Sequence, residues 1–213
     1  MKRIIIFANG ELPDLQKAHA LIKPDDFIIG ADGGTRHALT LGLTPHLIIG
    51  DMDSLPANFK ISDFNGEVIL YPKDKNETDL ELAIQHAVTL NPDEIIILAA
   101  LGGRMDHTLA NISLLSNSHL VTRNVKLSDS VEEISLCKDH VQVTGRSGDI
   151  VSLIPWRGNV EGVVTENLKW KLKYETLYSD KTRGISNEMI SDVAKISITK
   201  GLLLIVHQLK TDD

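Results

Sequence analysis

Two carboxylates separated by one residue, Asp51 and Asp53, follow the apolar run Leu47-Ile48-Ile49-Gly50. In an extended chain residues two apart point to the same side, so this spacing lets both acids converge on one point. Like charges so placed repel. A hard cation resolves the conflict, and magnesium in particular is often held by one or two carboxylates together with substrate phosphates. The competing assignment makes one aspartate a helix cap and leaves the other in water; the pair alone does not choose between them.

Further candidates stand at comparable points of the chain. Asp32 opens Asp32-Gly33-Gly34, Asp79 lies in Thr78-Asp79-Leu80-Glu81, and Gly102-Gly103-Arg104-Met105-Asp106-His107 adds a second glycine pair beside a guanidinium, an acid and an imidazole. A glycine pair between a strand and a helix lets backbone approach a phosphate closely, and the helix N-terminus favours negative charge. Arg104 suits bidentate contact with phosphate oxygens. Lys73 and Lys75, in the loop before Asp79, are cations with the reach to meet a polyphosphate. Each feature also has a plain structural reading: a tight turn, a solvated loop, or a carboxylate favoured by a helix dipole.

What must position these residues is a repeated grammar of apolar strand, polar turn and helix. Residues 4–8, 27–31, 46–49, 68–71 and 94–100 read as strands. Helical periodicity covers residues 14–22, a short stretch through Ala38 and Leu41, residues 78–90 behind a capping box formed by Thr78 and Glu81, and about 108–115. Alternation of this kind predicts a parallel sheet with helices on both faces, and ligands then bind outside the carboxyl ends of its strands. Asn9, Asp32, Asp51, Asp53, Asp79, Arg104 and Asp106 all fall at such ends. Several acids on one edge favour a metal and polyphosphate site over a set of independent caps.

Past residue 118 or so the helical period disappears. Leu168, Trp170, Leu172 and Tyr174 alternate with lysines, as do Ala194, Ile196 and Ile198 with polar residues, before Lys200-Gly201 turns the chain into residues 202–209. This predicts an all-β C-terminal sandwich behind the α/β N-terminal domain, with domains at 1–120 and 121–213.

Composition narrows the function classes. A formal charge of -7 over 213 residues argues against a nucleic-acid binder that relies on phosphate neutralisation. No apolar run approaches membrane-spanning length. The short apolar stretch after Lys2-Arg3 reads as a first strand rather than a signal peptide, and the single cysteine, Cys137, excludes an intrachain disulfide and a cysteine-based zinc site. The expected location is the cytoplasm. The histidines lack paired metal-ligand spacing, and neither a Walker-type loop nor a dinucleotide-binding glycine fingerprint is present. Oxygen ligands without a soft cluster point to magnesium-assisted phosphoryl chemistry.

Taken together, Ala31-Asp32-Gly33-Gly34, Ile49-Gly50-Asp51-Met52-Asp53-Ser54, Thr78-Asp79-Leu80-Glu81 and Leu101-Gly102-Gly103-Arg104-Met105-Asp106-His107-Thr108 resemble, in order and approximate spacing, the motifs of thiamine pyrophosphokinases. Asn167-Leu168-Lys169-Trp170 and Thr182-Arg183-Gly184-Ile185-Ser186-Asn187-Glu188 resemble that family's second-domain motifs. The resemblance implies transfer of the β,γ-diphosphate of ATP to the hydroxyethyl group of thiamine, with release of AMP. It further implies a homodimer whose active site is shared across the interface. Carried over, Asp51, Asp53 and Asp79 would hold Mg2+, with Arg104 and Asp106 joining them in catalysis. Asn9, Asp32, Gly33, Gly34, Lys73, Gly102, Gly103, Arg104 and His107 would surround ATP, and Ser186 and Asn187 would read thiamine. A metal-dependent phosphohydrolase of nucleotides or sugar phosphates, and a non-catalytic thiamine or nucleotide binder, remain as alternatives. The first predicts phosphate release without thiamine, the second binding without turnover.

Overall fold

A computed structural model describes residues 2–57 and 59–210, so Met1, Asn58 and residues 211–213 lie outside the described residues. The chain divides into two units, residues 1–130 and 131–213. In the first unit, strands β1 (Arg3–Phe7), β2 (Phe27–Ala31), β3 (Leu47–Gly50), β4 (Glu67–Leu70), β5 (Glu94–Leu98) and β6 (Asn124–Ser128) pair wholly in parallel, in the order β4-β3-β2-β1-β5-β6. Ile4, Ile5, Ile6 and Phe7 are all fully buried, as are Ile48 and Ile49, which is why these strands read as unbroken apolar runs rather than alternating ones.

Among the described residues, four α-helices connect the strands: α1 (Leu15–Leu21), α2 (Thr35–Thr40), α3 (Asp79–Thr89) and α4 (Met105–Leu114). Ala38 of α2 and Leu21 of α1 join Ile5, Phe7, Ile28, Ile96 and Leu98 in one apolar cluster. Helix α3 packs on β1, β2 and β3 and buries Leu80, Leu82, Ala83, Ile84 and Ala87. Its entry is set by Thr78, whose hydroxyl accepts the Glu81 N–H at 3.2 Å. Only this half of the expected capping box is made among the described residues. Helix α4 starts three residues earlier than the sequence period suggests. Gly102 and Gly103, at φ +77° and +65°, complete the turn within two residues, and Arg104 in extended geometry already occupies the N-cap.

The second unit is built from β7 (Glu132–Cys137), β8 (His140–Thr144), β9 (Ile150–Glu166), β10 (Lys173–Leu177), β11 (Asn187–Glu188), β12 (Val193–Ser197) and β13 (Lys200–Gln208), paired antiparallel. Strand β9 serves two sheets. Its first half pairs with β13 and β11, and its second half pairs with β10 and β12. The change of partners falls at Arg157 and Gly158, both at positive φ, opposite an irregularity between Lys200 and Leu202. Cys137, Val151, Leu153, Leu203 and Ile205 from one sheet meet Val143, Val160, Val163, Leu177, Ala194 and Ile196 from the other in a single core.

Two expectations need correction. The change of architecture falls at residue 130 rather than 120, because Asn124–Ser128 extends the parallel sheet by pairing with β5. The alternation from Leu168 to Tyr174 is also not one half-buried strand. Leu168 and Leu172 are buried, but Trp170 and Tyr174 are 57% and 79% exposed, Leu168 makes an isolated bridge to Met189, and strand pairing begins only at Lys173, with register shifts on either side of Glu175.

Candidate active site

The strand order reverses at β1: β2, β3 and β4 continue on one side of it, and β5 and β6 lie on the other. The chain therefore leaves β1 and β5 in opposite directions and opens a crevice beyond their carboxyl ends, where open α/β sheets bind ligands. A cavity of about 380 Å³ lies there, lined by Asn9 and Gly10 after β1, Asp32 after β2, Asp53 and Ser54 after β3, Thr78 and Asp79 before and in α3, and Gly102, Gly103, Arg104, His107 and Asn111 after β5.

Carboxylate oxygens of Asp32, Asp51 and Asp79 lie within 4.8 Å of one another. The backbone that brings them together leaves ordinary geometry three times, with φ +43° at Asp32, +147° at Gly50 and +65° at Met52. Strained dihedrals of this kind persist where surrounding structure holds them, often at ligand sites. A side chain at Gly50 would place its Cβ 2.8 Å from the Asp32 Cβ and 2.9 Å from Asp79 Oδ1, so only glycine allows the acids to gather here.

Asp53 stands outside this group, contrary to the expected metal set. Strand β3 ends at Gly50, so the two-residue period does not extend to Asp53. Instead the chain turns, with the Asp53 N–H donating to Asp51 Oδ1 at 3.2 Å. Asp53 is paired with Lys73 and accepts from the Ser54 hydroxyl, and these contacts hold its carboxyl below the usual range. Asp32, expected among the ATP contacts, takes its place beside Asp51 and Asp79.

Lys75 completes the arrangement. Its ammonium lies 2.9 Å from Asp79 Oδ1 and 3.3 Å from Asp51 Oδ2. Burial pushes the Asp79 carboxyl upward against the pull of Lys75, and the charges of Asp32 and Asp51 add to that push. Asp79 Oδ1 is buried with no well-directed hydrogen bond. Three carboxylate oxygens around one point, one of them buried and met only by the Lys75 ammonium, fit a site for a hard divalent cation.

Across the cavity, Arg104 forms a two-point contact with Asp106, through Nε to Oδ1 at 3.1 Å and through Nη2 to Oδ2. Both side chains are largely exposed, and the guanidinium holds the Asp106 carboxyl below its ordinary range. Asp106 is not among the cavity-lining residues. Gly33 and Gly34 do not line the cavity either. They are buried, and a Cβ on Gly33 would meet the Asn9 amide at 2.6 Å while one on Gly34 would run into the Phe7 carbonyl. Their smallness lets the turn after β2 pack on the end of β1. Sequence reasoning missed Ser54 and Asn111. Asn111 was discoverable, since it lies four residues after His107 and hence on the same helical face; its amide donates to the Ala100 carbonyl at 2.8 Å.

In the second unit, Asn187 is buried and both ends of its amide are hydrogen-bonded. Oδ1 accepts from the Trp170 N–H at 3.0 Å and Nδ2 donates to the Trp170 carbonyl at 2.7 Å. Ser186, at φ +57°, donates its N–H to the Ser152 hydroxyl. Asn187 thus clamps the irregular segment that presents Trp170, and it lines a cavity of about 560 Å³ with Lys169, Trp170, Thr182, Arg183 and Ile185. Ser186 is not among that cavity's lining residues.

Residues 18–127 match the family model described as thiamin pyrophosphokinase, catalytic domain, and residues 138–203 match the thiamin pyrophosphokinase, vitamin B1 binding domain. The chain is 29% identical to the thiamine pyrophosphokinase of Bacillus subtilis over 214 residues, covering 97% of this chain and 99% of that one. The crystal structure of thiamine pyrophosphokinase from Bacillus subtilis superimposes with a TM-score of 0.88 at 26% identity, covering 99% of this chain and 100% of that one. The corresponding Geobacillus thermodenitrificans structure gives 0.83 at 26% identity, with 100% and 99% covered.

Proposed function

The chain belongs to the thiamine pyrophosphokinase family, and from that premise we propose that its acidic edge transfers diphosphate from ATP to the hydroxyl of thiamine, giving thiamine diphosphate and AMP. The observation that carries the proposal is the gathering of Asp32, Asp51 and Asp79 beyond the carboxyl ends of β2 and β3, with Asp32 and Asp79 lining the cavity that Gly102, Gly103 and Arg104 close on its other side. The comparisons support this transferase reading and give no support to a phosphohydrolase or a non-catalytic binder.

In the proposed reaction the thiamine hydroxyl oxygen bonds to the β-phosphorus, the bond from that phosphorus to the oxygen bridging it to the α-phosphorus breaks, and AMP leaves with the bridging oxygen. The hydroxyl proton passes to a base. Asp32, Asp51 and Asp79 would hold Mg2+, which when bound would draw charge from the polyphosphate oxygens. Gly102 and Gly103 would bring backbone close to those oxygens, and Arg104 would exchange Asp106 for them, a geometry a guanidinium makes equally well with either partner. Asn9 and His107 line the same cavity and would contact the nucleotide. Lys73 and Asp53 form an ion pair at its margin, which opens to offer the ammonium to the phosphate tail.

For thiamine we propose the cavity beside Trp170. Its exposed indole gives a face for a cationic aromatic ligand, and Asn187 acts chiefly by holding that indole in place. We further propose a cytoplasmic homodimer in which this surface serves the acidic edge of a partner subunit; sedimentation at twice the 23.5 kDa chain mass is the expected result. Assay of AMP from ATP and magnesium, with and without thiamine, tests the activity. AMP and thiamine diphosphate in equal amounts, formed only with thiamine, is the expected outcome. Nucleotide breakdown independent of thiamine would overturn it.

A further inference from the structure

Lys75 and Lys73 leave the same loop two residues apart and meet very different surroundings. The Lys73 side chain is 79% exposed and pairs with Asp53 at the rim. That of Lys75 is 10% exposed, and its ammonium lies within 3.3 Å of oxygens from both Asp51 and Asp79. Asp32, which completes the acidic group, is itself buried. Three carboxylates this close repel strongly away from bulk water, and a cation among them relieves a repulsion that would otherwise favour protonation. Without a metal, Lys75 is that cation.

Resting on the metal-dependent reading above, we propose that Lys75 is the resident counter-ion of the acidic seat, a positioning residue whose ammonium competes with a free divalent cation and leaves for the polyphosphate when the metal arrives with its nucleotide. A lysine suits the role because its compact charge rides on a flexible four-carbon stem. The exchange is favourable only when a new anion awaits the displaced ammonium. Free metal must drive Lys75 into water, whereas the metal–nucleotide complex supplies that anion. The device therefore makes the seat discriminate against bare metal ions and in favour of the complex.

Two affinities should consequently move in opposite directions when the charge is removed. In Lys75→Met, which preserves side-chain bulk, Mn2+ titrated alone should bind on the order of tenfold more tightly than to the wild type, as expected for loss of a competing charge a few ångströms away. A non-hydrolysable ATP analogue with Mg2+ should bind on the order of tenfold more weakly. Lys75→Arg, which keeps the positive charge, should bind free Mn2+ no more tightly than wild type. Where Lys75→Met does not fold, Lys75→Gln provides the same comparison. Unchanged or weakened Mn2+ binding in a folded, uncharged variant would overturn the counter-ion role while leaving the metal site standing. Absence of Mn2+ binding in wild type and variant alike would overturn the metal reading and the counter-ion role together. A lysine with a merely structural role would not shift the two affinities in opposite directions.

Discussion

Asp51 and Asp53 are the clearest case of neighbours with divergent fates. Their one-residue spacing marks a chemical site, but the spacing argument assumes extended backbone, and the chain turns at Met52 with φ +65°. Asp51 joins Asp32 and Asp79; Asp53 joins Lys73 and Ser54. The geometry ranks the acids accordingly. Asp51→Asn and Asp79→Asn should each weaken Mn2+ binding markedly more than Asp53→Asn, and should lower the rate of AMP formation by about 100-fold or more, given that a metal contributes several kcal/mol of charge stabilisation and each 1.36 kcal/mol is tenfold in rate. Equal Mn2+ affinities across the three variants would return Asp53 to the metal set. The acids themselves were legible as residues. Which of them converge was not, because that depends on Gly50 and on the turn it allows. Gly33 and Gly34 show a second demand on glycine that the sequence pattern does not report: the pair leaves room for the turn after β2 to pack against the end of β1.

At the scale of elements, the strand and helix grammar of the first unit was readable because buried parallel strands announce themselves as apolar runs. The edges were less so. Helix α4 begins at Met105 because two positive-φ glycines shorten the turn, a backbone property that side-chain periodicity does not report. β6 was missed as a sixth parallel strand because Asn124, Lys126 and Ser128 break its apolar pattern; what shows it is its register on β5. Helix α3 carries a testable part of the site. Its first residue is Asp79, and the turn is started by the Thr78 hydroxyl. Thr78→Ala removes that cap and should lower stability by about 1 kcal/mol. Because Asp79 is delivered by the same turn, Mn2+ affinity should fall alongside the melting temperature. A stability loss with unchanged metal affinity would show that Asp79 is held by its neighbours rather than by the start of its helix.

Across the whole molecule, chemistry collects in the first unit and a dense β core in the second, and each unit has its own stability signature. In the second, Asp149 is almost fully buried; it accepts from the Lys210 N–H at 2.9 Å and the Arg146 N–H at 3.0 Å, and lies 2.9 Å from His207 Nε2. Burial opposes its charge, but these contacts prevail and hold its carboxyl below the ordinary 3.8. A carboxylate depressed on folding adds stability that is present above its unfolded value and disappears as pH falls through the folded one. Acid unfolding of the wild type should therefore steepen below pH 3.8, and Asp149→Asn should flatten that dependence while costing about 1–3 kcal/mol at neutral pH. An unchanged acid limb would remove Asp149 from the account. Strand β9 bears on the same unit in another way. Since one 17-residue strand belongs to both sheets, neither sheet can open without disturbing the ladder of the other. Amide hydrogens of β12 and β13, on opposite sheets, should then exchange with solvent at a common opening free energy, as a single foldon, so that an injury to either layer is felt as the failure of both.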